Sequence, residues 1–325
     1  MAKSSHKPDT FIVGAPKCGT TAMYEYLRQH PEIYMSRRKE LNFFCRDLRP
    51  ESYRGDLVDP QAYLTNFSEC SVEKRVGEAS VWYLYSRTAA RDIKAFSPDA
   101  NVIIMLRNPV DMVYSLYSHY IWLRHPTPLG VTDVRSQRVL SFEQALASQD
   151  ERRRSFLDSF PWDQVALAGR RLGNVFHTDV AMYTDQVKRY IDRFGASRVL
   201  IIIFDDFKSD TADVYRRTLQ FLSVDPAYHA DLRVINSNKR IWNAKLHKLV
   251  NERDSKVKKL ARLVVPDRLR MRMRRFVRSM NEQDKPRPSM NPQTRQSLEA
   301  RFRPDVEKLS RLIDRDLISL WYGVP

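Results

Sequence analysis

Nine glycines are spread over 325 residues, and two of them bracket one short loop, Gly14-Ala15-Pro16-Lys17-Cys18-Gly19-Thr20-Thr21. A glycine-bounded loop between an apolar run and a helical pattern aims backbone N–H groups and the positive end of a helix at one point, and Thr20 and Thr21 add hydroxyl donors. Lys17 places a cation within it. This is chemistry for holding an anion, phosphate above all. The spacing Gly14-x4-Gly19 is that of a phosphate loop. A nucleotide-triphosphatase loop, however, needs lysine directly after the second glycine and a hydroxyl residue after that lysine for Mg²⁺. Here Thr20 follows Gly19 and the only lysine lies inside the loop. The expectation is a phosphate site with no obligatory metal. Cys18 gains reactivity if Lys17 and the helix terminus stabilise its thiolate; the plainer reading is an inert small loop residue.

Strands and helices must hold that loop. Phe11-Ile12-Val13-Gly14 reads as a buried strand, and Thr20–His30 as a helix with Ala22, Met23, Tyr26 and Leu27 on one face, stopped by Pro31. Val102–Leu106 and Val199–Phe204 are two more buried-strand runs, leading into helical patterns at Val110–Leu123 and Thr211–Leu222. Tyr183–Phe194 reads as the helix entering the second of them. Alternation of this kind implies βαβ units, hence an α/β fold with a central parallel sheet flanked by helices. Residues 124–173 are polar, proline-dotted and arginine-rich, and read as an insertion or cap. From about Ala244 the chain turns basic and helical, with prolines at 266, 286, 288 and 292, and it closes on the amphipathic stretch Ser297–Trp321.

Three segments carry a family resemblance. Phe11-Ile12-Val13-Gly14-Ala15-Pro16-Lys17-Cys18-Gly19-Thr20-Thr21-Ala22 resembles the 5′-phosphosulfate loop of sulfotransferases that use 3′-phosphoadenosine 5′-phosphosulfate (PAPS). Val102-Ile103-Ile104-Met105-Leu106-Arg107-Asn108-Pro109-Val110-Asp111, running on to Ser115-Leu116-Tyr117, resembles the family's 3′-phosphate motif. Arg37-Arg38-Lys39-Glu40-Leu41-Asn42-Phe43-Phe44 is similar to an acidic-x-x-Phe-Phe element of the heparan-sulfate-type branch, and Leu298–Trp321 looks like the closing helix. The resemblance spans nearly the whole chain. It implies a three-layer sandwich of the P-loop-kinase type, and transfer of a sulfuryl group from PAPS to a hydroxyl or amine, releasing adenosine 3′,5′-bisphosphate (PAP), with no metal required.

On that resemblance Lys17 stands beside the bridging oxygen where charge develops, helped by the amides of Cys18, Gly19, Thr20 and Thr21. Arg107 grips the 3′-phosphate as a planar fork, with Ser115 beyond it. Lys239 and Arg240, in Asn236-Ser237-Asn238-Lys239-Arg240, are weaker members, from a basic loop over the nucleotide. Glu40 is the expected general base, near Phe43 and Phe44 as an apolar wall and subject to Arg37, Arg38 and Lys39 if they face it. Histidine is its rival in the small-molecule branch, but only His6 and His30 precede Arg107; His30 reads as a helix-end residue and His119 as packing. The sequence departs from the heparan-type pattern in Val76-Gly77-Glu78-Ala79-Ser80, where alanine occupies the place of a common lysine. Trp82, Tyr83 and Tyr85 follow, and read either as core or as an acceptor cleft.

Composition sets the outer limits. The chain is 42% hydrophobic and 29% charged, as an ordinary globular protein is, and disordered or collagen-like classes are excluded. Neither longest apolar run approaches the ~18 residues of a membrane span. Three scattered cysteines make neither a disulfide framework nor a zinc site. With no apolar segment in MAKSSHKPDT, the expectation is a cytoplasmic chain. The formal net charge of +16 is concentrated in residues 239–278, which hold 15 Lys and Arg against 3 Asp and Glu. Such a patch suits an anionic glycan or lipid acceptor, or peripheral contact with a membrane surface, or is merely a solvated helix face; no nucleic-acid module accompanies it. A small-molecule acceptor is the other option. The organisation expected is one domain over 1–325, with an α/β core at 8–240 and a basic helical extension at 241–325 packed on it. Two other functions fit parts of the sequence: a non-catalytic polyanion-binding protein, and a small-molecule kinase on the same scaffold.

Overall fold

In the computed structural model, which describes residues 7–48, 59–123, 140–151, 178–233, 239–241, 282–284 and 289–323, Thr10–Gly14 forms the central strand, β1. Its five residues are all buried, as a strand covered on both faces requires. The chain continues through α1 (Thr20–Leu27), β2 (Ile33–Met35), α2 (Pro60–Leu64), β3 (Arg75–Ala79), α3 (Ala89–Phe96), β4 (Asn101–Leu106) and α4 (Pro109–Leu123). Next come α5 (Phe142–Ala147), α6 (Thr184–Phe194), β5 (Val199–Ile203), α7 (Phe204–Ser209) and α8 (Thr211–Phe221). The short strands β6 (Lys239–Ile241) and β7 (Glu282–Asp284) precede α9 (Pro292–Leu312) and α10 (Leu317–Tyr322).

Five strands form one sheet in the order β2-β3-β1-β4-β5, and every pairing is parallel. Register places Phe11 opposite Glu78 and Val102, and Ile104 opposite Ile201. Helices flank the sheet, α1 against β1, β2 and β3, and α6 and α8 against β5. The core is the apolar faces of β1 and β4 with Met23, Leu27, Leu84, Ile93 and Val113, all fully buried. The expected parallel α/β sheet is thus present.

Some boundaries differ from those the sequence suggests. The strand expected to reach Phe204 ends at Ile203, because Phe204 opens α7 at once. The single closing helix is two, α9 and α10; Asp314 turns left-handed at φ 51° and Asp316 caps the second. β2 is three residues long, too short to show a period in sequence.

The chain divides into two compact units, Met1–Arg233 with Met290–Pro325, and Val234–Ser289. Within the second, β6 and β7 pair antiparallel, Lys239 opposite Asp284. Most of the basic stretch 239–278, and of the insertion expected at 124–173, lies outside the described residues; Phe142–Ala147 in the latter is α5, opened by a Ser141–Gln144 capping box.

In the first unit α9 holds the start of α6. No side chain of its own caps α6, but the Asp305 carboxylate, raised in pKa by burial, accepts the Tyr183 N–H at 2.7 Å, while Thr184 Oγ1 donates to the Asp305 carbonyl at 2.8 Å. Asp305→Ala strands buried amides and is expected to destabilise the fold by about 2–3 kcal/mol, read as a lower urea midpoint with unchanged slope.

Candidate functional site

All five carboxyl ends of a parallel sheet point one way. The chain leaves β1 toward β2 on one side and leaves β4 toward β5 on the other, so a crevice opens between β1 and β4. Residues 14–19 fill its floor, tied across it by the Ala15 N–H to the Met105 carbonyl at 2.7 Å. Close packing demands both glycines. A Cβ on Gly14 would stand 2.7 Å from Leu84 Cβ and 2.9 Å from the Val81 carbonyl, and one on Gly19 would press on the rings of Phe204 and Phe207. Gly19 has φ +89°, and as N-cap of α1 it supplies no side-chain acceptor. Lys17 is itself left-handed at φ 64°.

Arg107 leaves β4 on the far side of the crevice, its guanidinium 4.9 Å from the Phe204 ring centroid. Phe204 is therefore a shared wall for Gly19 and Arg107, a role the strand reading of that residue hid. Ser115 is buried on α4, two turns beyond Arg107. Burial pushes the Cys18 thiol up to about 12 against the opposing pull of Arg107 and Lys17, so it stays protonated and inert.

Glu40 sits on the other flank of β1. Its N–H donates to the Ala79 carbonyl at 2.8 Å, and its carboxylate accepts the Val81 N–H at 3.1 Å, so the end of β3 clamps it. The turn is left-handed at Glu40 and again at Asn42, whose N–H donates to Ser80 Oγ at 2.9 Å. Lys39 faces the carboxylate: its Nζ lies 2.5 Å from Glu40 Oε1 and 3.4 Å from Thr20 Oγ1. Arg37 and Arg38 are exposed, Arg37 pairing with Glu69. Phe43 and Phe44 belong to an aromatic cluster with Tyr63, Tyr83 and Phe96.

Beneath Glu40 lies a second carboxyl that sequence reasoning passed over. Glu78 is fully buried and accepts the Tyr63 hydroxyl at 2.8 Å; desolvation, opposed by hydrogen bonds from Tyr83, Tyr63 and Ser80, pushes it up to about 7. Tyr83 is thus core, whereas Trp82 and Tyr85 are half-buried. His30 has a structural role: Nδ1 accepts the Glu32 N–H, leaving Nε2–H for the Asp225 carbonyl at 3.0 Å.

The last helix closes the far side. Asn108 Nδ2 donates to the Trp321 carbonyl and Trp321 Nε1 donates to Asp205, both at 3.0 Å; Arg315 grips Asp206 with two bonds. No signal in the sequence links these positions. Lys239 and Arg240 fall on β6 in the second unit, and their side chains lie outside the described residues.

The profile of the sulfotransferase domain family matches residues 7–312. The chain belongs to this family. A sulfotransferase from Alicyclobacillus acidocaldarius superposes with a TM-score of 0.68 at 30% identity, covering 98% of this chain and 99% of its own. Carbohydrate sulfotransferase 15 of mouse is 24% identical over 260 residues, 67% of this chain. Human bifunctional heparan sulfate N-deacetylase/N-sulfotransferase 3 is 25% identical over 244 residues, 72% of this chain. The chain spans 44% of the first of these two and 24% of the second. The three-layer sulfotransferase fold expected from the resemblance is the fold found. Of the residues it singled out, Lys17, Cys18, Gly19, Thr20 and Thr21 share the loop, Arg107 and Ser115 one flank, and Glu40 the other.

Within this sulfotransferase domain Glu78 leaves a mark on stability. Its native pKa lies above the ordinary carboxyl value, so between about pH 4 and 7 the folded state holds a proton that the unfolded chain has lost. Stability therefore falls as pH rises through that window and levels off above it. Glu78→Gln is expected to abolish this slope, giving a gain over wild type that is absent near pH 4 and grows to at most about 3 kcal/mol at pH 8. Urea titrations of both proteins at the two pH values measure it.

Proposed function

We propose that this chain moves the sulfuryl group of PAPS to a hydroxyl or amine of an anionic glycan. The observation that carries the reading is the β1–β4 crevice. An uncapped helix start lies at it, with Lys17 in its loop, Arg107 directly after β4, and Ser115 buried on α4. These residues fit PAPS as co-substrate: the α1 start and Lys17 suit the 5′-phosphosulfate, and Arg107 with Ser115 suits the 3′-phosphate. No donor of this set is itself an anion.

In the reaction, the acceptor oxygen or nitrogen forms a bond to sulfur as the bond from sulfur to the bridging oxygen of the 5′-phosphate breaks. The acceptor proton passes to Glu40, and the departing phosphate keeps the electron pair. Lys17 and the loop amides neutralise that charge, which grows only in the transition state and so lowers the barrier rather than merely tightening binding. Glu40 is oriented by the Val81 amide and reaches the acceptor from the β3 side. A glycan acceptor is supported by relatives named for carbohydrate and heparan sulfate sulfation. The concentration of positive charge in 239–278 also suits a polyanion.

Calorimetric titration of PAP, without added metal, tests the donor half. Wild type is expected to bind, Arg107→Ala to bind about 10–100-fold more weakly, and Glu40→Gln to bind as wild type does. With radiolabelled PAPS and N-desulfated heparan sulfate, Glu40→Gln is expected to lose about 10²–10⁴ in kcat and Lys17→Ala about 10²–10³. A wild-type protein that binds no PAP would overturn the reading.

A further inference from the structure

The two flanks of the central strand divide the crevice. Arg107 leaves β4 on one side of β1; Glu40 is clamped to the end of β3 on the other. A donor held by its 3′-phosphate on the β4 side and by its 5′-phosphosulfate on the loop presents its sulfuryl end toward β3. What lies there is the ammonium of Lys39. It is 2.5 Å from Glu40 Oε1 and 3.4 Å from the hydroxyl of Thr20, the first residue of α1, and its side chain is only 18% exposed.

The position of Lys39 is imposed by its backbone. Ser36 N–H donates to the Gly77 carbonyl and Glu40 N–H to the Ala79 carbonyl, both at 2.8 Å, so the turn 36–40 is pinned at each end to β3. Ser36 Oγ donates to the Arg38 carbonyl within it, and Glu40 closes it in the left-handed region. At the end of β3 position 79, where the heparan-type pattern commonly has a lysine, is alanine.

We infer that Lys39 is a donor-binding cation, contacting the sulfuryl end of PAPS while it holds Glu40 in place. An ammonium carries three donors. Glu40 takes one and Thr20 stands at the reach of a second, so a further N–H is available to a sulfuryl oxygen seated over the α1 start. The same charge would then span the base, the transferred group and the loop. This inference rests on the crevice being the PAPS site.

The discriminating measurement compares two ligands that differ only in the sulfuryl group. Dissociation constants of PAP and of PAPS would be measured by calorimetry for wild type, Lys39→Met and Lys39→Arg, with circular dichroism as the check on folding. Lys39→Met is expected to weaken PAPS by about tenfold or more while changing PAP by less than about threefold, and Lys39→Arg to restore most of the PAPS affinity. Unchanged PAPS affinity in Lys39→Met overturns the assignment. So does an equal loss for PAP and PAPS, which marks a lysine that only supports the turn. If wild type binds neither ligand, the donor reading falls and takes this inference with it; if wild type binds both and Lys39→Met matches it, the donor reading stands and Lys39 alone is dismissed.

Discussion

A helix start that no side chain caps is the constraint around which the site is arranged. The first amides of α1 need an acceptor, and at Gly19 the sequence withholds the Ser, Asp or Asn that ordinarily provides one. The packing around it reinforces the choice. Val81 and Leu84 press on Gly14, Phe204 and Phe207 press on Gly19, and the loop between them holds Lys17 in the left-handed region. Backbone strain of this kind costs about 1–3 kcal/mol and persists where neighbouring structure over-determines it. Here the over-determination comes from β3, β4 and β5 together. Three other strands end against the loop.

Environment assigns different chemistry to the two neighbouring carboxyls of the β3 flank. Glu78, fully buried among Tyr63, Tyr83 and Ser80, holds its proton well above the usual carboxyl range, which limits the charge buried below the turn. Glu40, half-exposed, has a cation and a backbone amide for partners. It is held by both Lys39 and the Val81 amide.

The loop could be read from sequence because its chemistry is contiguous: eight residues, two rare glycines, a lysine and two hydroxyls. Arg107 stands directly after the five-residue apolar run Val102–Leu106, which reads as a buried strand, but its role came only with the family resemblance. Glu40 required the family resemblance, since one Glu behind three basic residues carries no periodic signal. Lys39 was indistinguishable from Arg37 and Arg38 until the turn showed which of the three faces inward. Phe204, Asp205, Asn108 and Trp321 were invisible as a set, because parallel crossovers bring them together across more than a hundred residues and nothing local marks one as partner of another. Tyr83 shows the limit from the other side: among three closely spaced aromatics, burial picked one for the core and left Trp82 and Tyr85 half out.

The bond from Asn108 to Trp321 joins residues 213 apart in the chain. A polypeptide emerging from the ribosome completes β1 to β5 and the loop long before Trp321 is made. Until then Asn108, beside Arg107, and Asp205, beside Phe204, both lack their native partners. Closing so long a loop is entropically slow. The sheet can therefore form as an early intermediate, with the arginine arm of the crevice still unfixed. The Asn108–Trp321 and Trp321–Asp205 bonds, which close that side of the crevice, then form last in folding.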